Sequence, residues 1–122
     1  MPPTYGNGKI CYVVIPSTDP ERSSAFYRNV FGWHIRTRND GSIAFDDGVG
    51  QVSGTWATGK PPASDPKLLI YIMVDSASAT VERIIANGGN IIKPLGEEPP
   101  ELTAWFSDPD GNVMGVYQEP NG

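Results

Sequence analysis

The side chains able to do chemistry are few in this 122-residue chain, and they are scattered. His34 is the only histidine. It sits beside Arg36 and Arg38, reads as an ordinary surface or edge residue, and alone makes neither a metal centre nor a Ser-His-Asp relay. Cys11 is the only cysteine, so it has no internal disulfide partner. Its apolar surroundings predict a small buried core residue. Asp108 and Asp110 flank a proline in Asp-Pro-Asp-Gly-Asn, where Asx side chains bond their own backbone, so their spacing predicts turn chemistry. Asp46-Asp47 reads as a turn too, as does Asp75 near a helix start. Glu97, Glu98 and Glu101 lie in a proline-rich loop and are expected on the solvated surface; a catalytic base among them is the acid–base alternative. Nucleophile elbow, phosphate loop and dinucleotide fingerprint are all missing from the sequence.

The charge balance narrows the partners. The formal net charge is −5; residues 1–61 hold six Lys/Arg and five Asp/Glu, residues 62–122 three and nine. Phosphate-backbone binding needs a basic face, so nucleic acid is not an expected partner. No apolar run approaches the ~20 residues of a membrane span, and the first residues do not read as a secretory signal. A single cytoplasmic domain with no membrane partner is expected.

The elements that must position any site recur in the same order twice. Residues 9–16 read as a strand. Thr18-Asp19-Pro20-Glu21 then opens a helix, with either Asp19 capping ahead of Pro20 or Thr18 and Glu21 forming a capping box. Gly32 ends it, and strands follow at 33–38, 43–46 and 49–56. Residues 57–66, rich in proline, form the linker. The pattern then restarts: a strand at 68–74, a helix opened by Ser76 or Ser78 and closed by Gly88-Gly89, a strand at 90–93, and a hairpin folded about Asp-Pro-Asp-Gly-Asn. The repeat is one of element order rather than of identity. A half of this size could hardly close a core alone, so two modules, about 9–56 and 67–118, are expected to share a cleft.

Several stretches carry a resemblance: Val13-Val14-Ile15-Pro16 with Asp19-Pro20-Glu21-Arg22, Ala25-Phe26-Tyr27 with Phe31-Gly32-Trp33, Val74-Asp75, Gly88-Gly89, and Phe106 to Asn112. Together they span residues 9–118 and resemble the vicinal oxygen chelate superfamily, the glyoxalase/bleomycin-resistance/extradiol-dioxygenase fold. The resemblance implies an α+β chain of two βαβββ modules whose curved mixed sheet surrounds a small-molecule cleft, commonly in a homodimer. It also implies, in metal-using members, a divalent ion held by His, Glu or Gln from the first and last strand of each module, which polarises two neighbouring substrate oxygens. Carried onto this chain, the usual His falls on Tyr12 and the usual Glu on Gly115. The strand opening the second module offers only Leu68, Leu69, Ile70 and Tyr71, and the strand closing the first offers Gln51 or, one register on, Val52. A first-row divalent ion wants about four good donors, so neither a metal nor any other cofactor is expected.

Parity then places Tyr12, Gly115 and Tyr117 on one inner face, joined by Gln51. Trp56, Tyr71 and Trp105 complete the candidate ligand-binding set. An aromatic wall with a few hydrogen-bonding tips suits a flat apolar molecule. The expected function is metal-free binding or sequestration of a small hydrophobic or aromatic molecule. The alternative is a lyase, isomerase or dioxygenase with an atypical metal site or acid–base chemistry. Short modules leave strand edges that need covering, which agrees with a homodimer.

Overall fold

The computed structural model describes residues 3–95 and 102–119, and the chain divides into two compact units, residues 1–61 and 62–122. Each is an α+β module in which one helix is packed on a four-stranded mixed sheet.

Unit 1 contains β1 (Tyr12–Pro16), α1 (Pro20–Phe31), β2 (His34–Thr37), β3 (Ile43–Asp46) and β4 (Ser53–Ala57). The strand order is β1-β4-β3-β2, with β1 parallel to β4 and the other pairs antiparallel. Of the two ways to start α1, the chain uses Asp19: its side chain accepts the Arg22 N–H, and Pro20 opens the helix where no N–H is needed. Gly32 ends the helix at φ 71°, a left-handed conformation a side chain would strain. The core is a run of aromatic rings. Tyr27 stacks on Trp33 at 4.6 Å, Trp33 on Phe45 at 4.5 Å, and Phe45 meets Trp56 at 4.8 Å. All four are buried, as are Phe26 and Ile15. Each such ring removes ~150–250 Å² from water, so a few of them suffice for a module this small.

Unit 2 contains β5 (Tyr71–Met73), α2 (Ala77–Ala86), β6 (Asn90–Lys93), β7 (Leu102–Ser107) and β8 (Val113–Gln118) in the order β5-β8-β7-β6. Ser76 caps α2 by accepting the Ala79 N–H. Its core is smaller in grain: Ala77, Thr80, Ile84, Ala104, Phe106, Met114 and Val116 are buried. The β7–β8 turn is closed by Asp108. Its carboxylate accepts the N–H groups of Asp110 and Asn112 and the Asn112 side-chain amide, at 2.9–3.0 Å. Asp108 is 2% exposed, and those three donors satisfy a buried anion. Asn112 in turn accepts the Ala63 N–H at 2.8 Å, and Ala63 accepts the Val113 N–H. Residues 62–66 are thereby tied to unit 2, at the far end of the stretch the sequence marks as linker.

Three expectations change. Cys11 is exposed rather than a core residue, because the paired part of the strand begins one residue later. Asp46 belongs to β3 rather than to the turn; Asp47 holds the turn, accepting the N–H groups of Gln51 and Val52. Strands β1, β4 and β5 are shorter than their apolar runs suggest. Glu97, Glu98 and Glu101 lie outside the described residues.

Candidate functional site

In each sheet one face meets the helix and the other does not. Side chains alternate between the faces, and the ladder registers show which residues share a row. In unit 1, Tyr12 lies opposite Ser53, Ser53 opposite Asp46, and Asp46 opposite His34. In unit 2 a row on the same face is Tyr71, Gly115, Trp105 and Lys93, two residues farther from the hairpin turn than the unit 1 row. Both rows lie on the face away from the helix: the alternate positions Ile15, Phe45 and Trp56, or Phe106 and Val116, are the buried ones.

The unit 1 row is polar. Arg36 reaches Asp46 with two bonds, Nε to Oδ2 at 2.9 Å and Nη2 to Oδ1 at 3.0 Å, and Ser53 donates to Asp46 at 2.7 Å. These bonds, the one from Arg36 foremost, hold the Asp46 carboxyl below its ordinary pKa and raise that of Arg36. Arg38 lies over the Tyr12 ring, 5.6 Å from its centroid, and donates to its phenol oxygen.

The unit 2 row is aromatic. Trp105 donates its indole N–H to the Tyr71 hydroxyl at 2.8 Å, and Lys93 sits 5.3 Å from the centroid of the Trp105 ring. A β-bulge between Ile91 and Lys93 puts Lys93, not Ile92, opposite Trp105. Gly115 gives the Tyr71 ring room: a Cβ there would lie 2.5 Å from Tyr71 Cε1 and 2.6 Å from Cδ1. Tyr117 follows two residues on, half-buried, with its hydroxyl 3.3 Å from Glu119.

Two sequence-predicted site residues fall elsewhere. Trp56 points to the helix side, 5% exposed and packed against Phe45 and Tyr27, because it shares parity with Gly54 rather than with Ser53. Its indole N–H has no partner among the described residues. Gln51 precedes β4, in the turn closed by Asp47, and its side chain accepts the Thr4 N–H at 2.9 Å. Ser53 occupies the place opposite Tyr12 that Gln51 was expected to fill. Tyr12, Tyr71, Trp105, Gly115 and Tyr117 lie on the faces away from the helices. Arg38, Ser53 and Lys93 were missed. The i, i+2, i+4 spacing of His34, Arg36 and Arg38 is the signal that could have revealed the first; the bulge left no signal for the last.

The first and last strands of the modules bear on whether a divalent ion fits. On the faces away from the helices they offer the Tyr12 phenol with the Ser53 and Thr55 hydroxyls in unit 1, and in unit 2 the phenols of Tyr71 and Tyr117 beside Gly115. Neutral Tyr and Ser are poor ligands for first-row ions, and Ser53 is already bonded to Asp46. Position 115, where the resemblance places a ligand, is a glycine with no donor side chain, and the Tyr71 ring lies over it. Among the described residues no cluster of three His, Cys, Asp or Glu side chains could hold an ion. The described residues of these strands do not supply the donor set such an ion wants.

The comparisons with known proteins agree on kinship. A glyoxylase-like domain-containing protein of Didymella fabae is 31% identical over 93% of this chain and 96% of its own length. A lactoylglutathione lyase of Neisseria meningitidis is 28% identical over 84% of each chain. TnmS3, an antibiotic binding protein from Streptomyces sp. CB03234, has the same fold, with a TM-score of 0.70 at 22% identity over 94% of this chain and 98% of that one. Residues 9–116 match the family model described as Glyoxalase/Bleomycin resistance protein/Dioxygenase superfamily, and with these two βαβββ units the chain belongs to that superfamily.

Proposed function

We propose that this protein binds and sequesters a small aromatic or hydrophobic molecule without using a metal ion, and that the aromatic face of unit 2 supplies the contact surface. The observation that carries the reading is the Tyr71 ring lying over Gly115, braced by the Trp105 indole. A ring there replaces a charged ligand with a flat apolar surface, on which a conjugated molecule stacks for ~0.5–1.5 kcal/mol beyond its area burial. Met73, two residues on from Tyr71 and opposite Tyr117, is 68% exposed, which extends the apolar surface beyond one ring. An antibiotic-binding role in a protein of this fold is in keeping with such a use.

A second reading is favoured by the relative named a lactoylglutathione lyase: a lyase, isomerase or dioxygenase using a metal in a different arrangement, or Tyr12 in acid–base work. We further propose a cytoplasmic homodimer, since each sheet ends in two edge strands and edges are usually covered; sedimentation of the purified chain reads that directly. No helix among the described residues is long and apolar enough to cross a membrane.

Two measurements test the binding reading together. Elemental analysis of protein purified without chelators is expected to find no stoichiometric zinc, nickel, manganese or iron. Titration with the uncharged dye N-phenyl-1-naphthylamine is expected to give saturable fluorescence, weakened about tenfold by Trp105→Ala, a loss of ~1.4 kcal/mol. One equivalent of a divalent ion, or dye binding indifferent to Trp105, would sink the proposal.

A further inference from the structure

We infer that the face of unit 1 away from α1 is a carboxylate-binding site for small aromatic acids, with Arg38 as its anchoring cation and Tyr12 and Val14 as its apolar flank. The inference is independent of the aromatic surface proposed for unit 2.

Two arginines stand near one edge of this face, in unlike circumstances. Arg36 is committed, with both of its contacts to Asp46 made as a planar fork. Arg38 has no such partner. Its backbone N–H is bonded to the Ser42 carbonyl at 2.8 Å, and its guanidinium donates to the phenol oxygen of Tyr12. Among the described residues no carboxylate lies within ion-pair distance of it. Asp40 feels its charge, but that carboxylate accepts the Ser42 N–H and hydroxyl at 2.9 and 2.7 Å. A guanidinium carries five N–H donors, and a phenol oxygen engages few of them.

The neighbouring polar groups are also taken. Ser53 donates to Asp46, and Thr55 donates to the Ile43 carbonyl at 2.7 Å. Arg36 and Arg38 give +2 against −2 from Asp46 and Asp40, but Asp46 is bonded to Arg36 and Asp40 to Ser42, so Arg38 keeps its donors free of any carboxylate among the described residues. A guanidinium bonded to no carboxylate among the described residues, laid across an aromatic ring, is the arrangement that captures a planar anion. A carboxylate meets a guanidinium through two parallel N–H bonds, a geometry lysine does not reproduce. Tyr12 and Val14 are 44% and 47% exposed, so an apolar ring attached to that carboxylate has a surface beside the charge. Cation–π contact with Tyr12 holds the guanidinium in place while the anion is absent.

The test is a pair of titrations of the full ¹⁵N-labelled chain, one with benzoate and one with benzamide, which has the same shape and no charge. The Arg38 Nε–Hε correlation and the Tyr12 ring protons report this site; the Trp105 indole N–H reports unit 2. Benzoate is expected to shift the Arg38 signal saturably and benzamide to leave it in place. With the Tyr12 protons as the readout, Arg38→Met is expected to weaken benzoate binding about tenfold, and Arg38→Lys less than that, because charge survives without the fork. An Arg38 signal that ignores benzoate, that responds equally to benzamide, or benzoate affinity unchanged in Arg38→Met overturns the inference. Failure here leaves the Trp105 response standing, and failure of the unit 2 reading leaves this one standing.

Discussion

The two units share one topology and put it to opposite use. Unit 1 packs Tyr27, Trp33, Phe45 and Trp56 on the helix side and lays charge beside Tyr12 on its other face; unit 2 fills its helix side with aliphatic and small residues around the single ring of Phe106 and puts Tyr71 and Trp105 on the face away from α2. The equivalent rows make the contrast residue by residue. At the pair beside the hairpin turn unit 1 has Asp46 and Ser53 where unit 2 has Ser107 and Val113; at the third pair unit 1 has Ala44 and Thr55 where unit 2 has Trp105 and Gly115. Duplicated backbones therefore fix where side chains can converge, while the face bearing the large rings decides whether a unit offers a charged or an aromatic surface.

Two glycines in the closing strands give the largest test of that contrast. A Cβ at Gly54 would collide with the Val13 carbonyl and lie 2.6 Å from Phe45 Cε2, inside the buried core. A Cβ at Gly115 would meet only the Tyr71 ring, and Tyr71 is 46% exposed. Backbone and a packed core ring cannot swing aside, whereas a half-exposed side chain can. Gly54→Ala is expected to cost ~3 kcal/mol, and Gly115→Ala less than ~1 kcal/mol, read from urea unfolding midpoints at unchanged slope. Gly115→Ala should still upset the Tyr71–Trp105 bond and weaken naphthylamine dye binding. Equal stability losses would mean that the two faces are equally packed, and the contrast would fail.

The polar row offers a smaller effect with a definite pH dependence. Arg36 lowers the Asp46 pKa on folding, so the pair's contribution is present above the ordinary carboxylate value of 3.8 and lost as pH falls through the lower folded value. The side chains of Arg36 and Asp46 are 43% and 25% exposed, so solvent screens the pair and limits it to ~1 kcal/mol even with two good bonds. Asp46→Asn should therefore lose ~1 kcal/mol near neutral pH, and the gap to the parent should close in strong acid and narrow in concentrated salt. A gap that stays constant into acid would assign the loss to packing instead.

Much of the fold was legible because its signals are local. Asp19-Pro20, Gly32, Ser76 and Asp-Pro-Asp-Gly-Asn each act within a few residues, and each marks a helix end or turn in the structure. Alternation put Gly115 and Tyr117 on one face of their strand, and the family resemblance set Tyr12 and Gly115 as the anchors from which that face was counted. Trp56 was a candidate for its ring, not for its parity: it lies an odd number of positions from Gln51 and Ser53, so alternation along β4 sets it on the helix side with Gly54. Ser53 was hidden because the Asp47 turn uses Gln51 and Val52, so the pairing with Tyr12 falls on Ser53. Cys11 was misread for the complementary reason: an apolar run continues past the point where pairing begins.

Lys93 makes the smallest prediction and tests the least legible feature. Regular pairing from Ile91 opposite Phe106 would bring Ile92 opposite Trp105, but the bulge delivers Lys93 there. An exposed ammonium over an indole contributes ~0.5–1 kcal/mol, and the residue is solvent-exposed. Lys93→Met should cost ~0.5 kcal/mol and shift the Trp105 indole resonance while leaving those of Trp33 and Trp56 in place, since both are packed on the other side of unit 1's sheet. Ile92→Lys in the same background should not restore the Trp105 resonance, because the bulge leaves position 92 unpaired and sets position 93 opposite Trp105. Restoration would mean that the strand slips by one residue and that the bulge does not hold the register of the aromatic row.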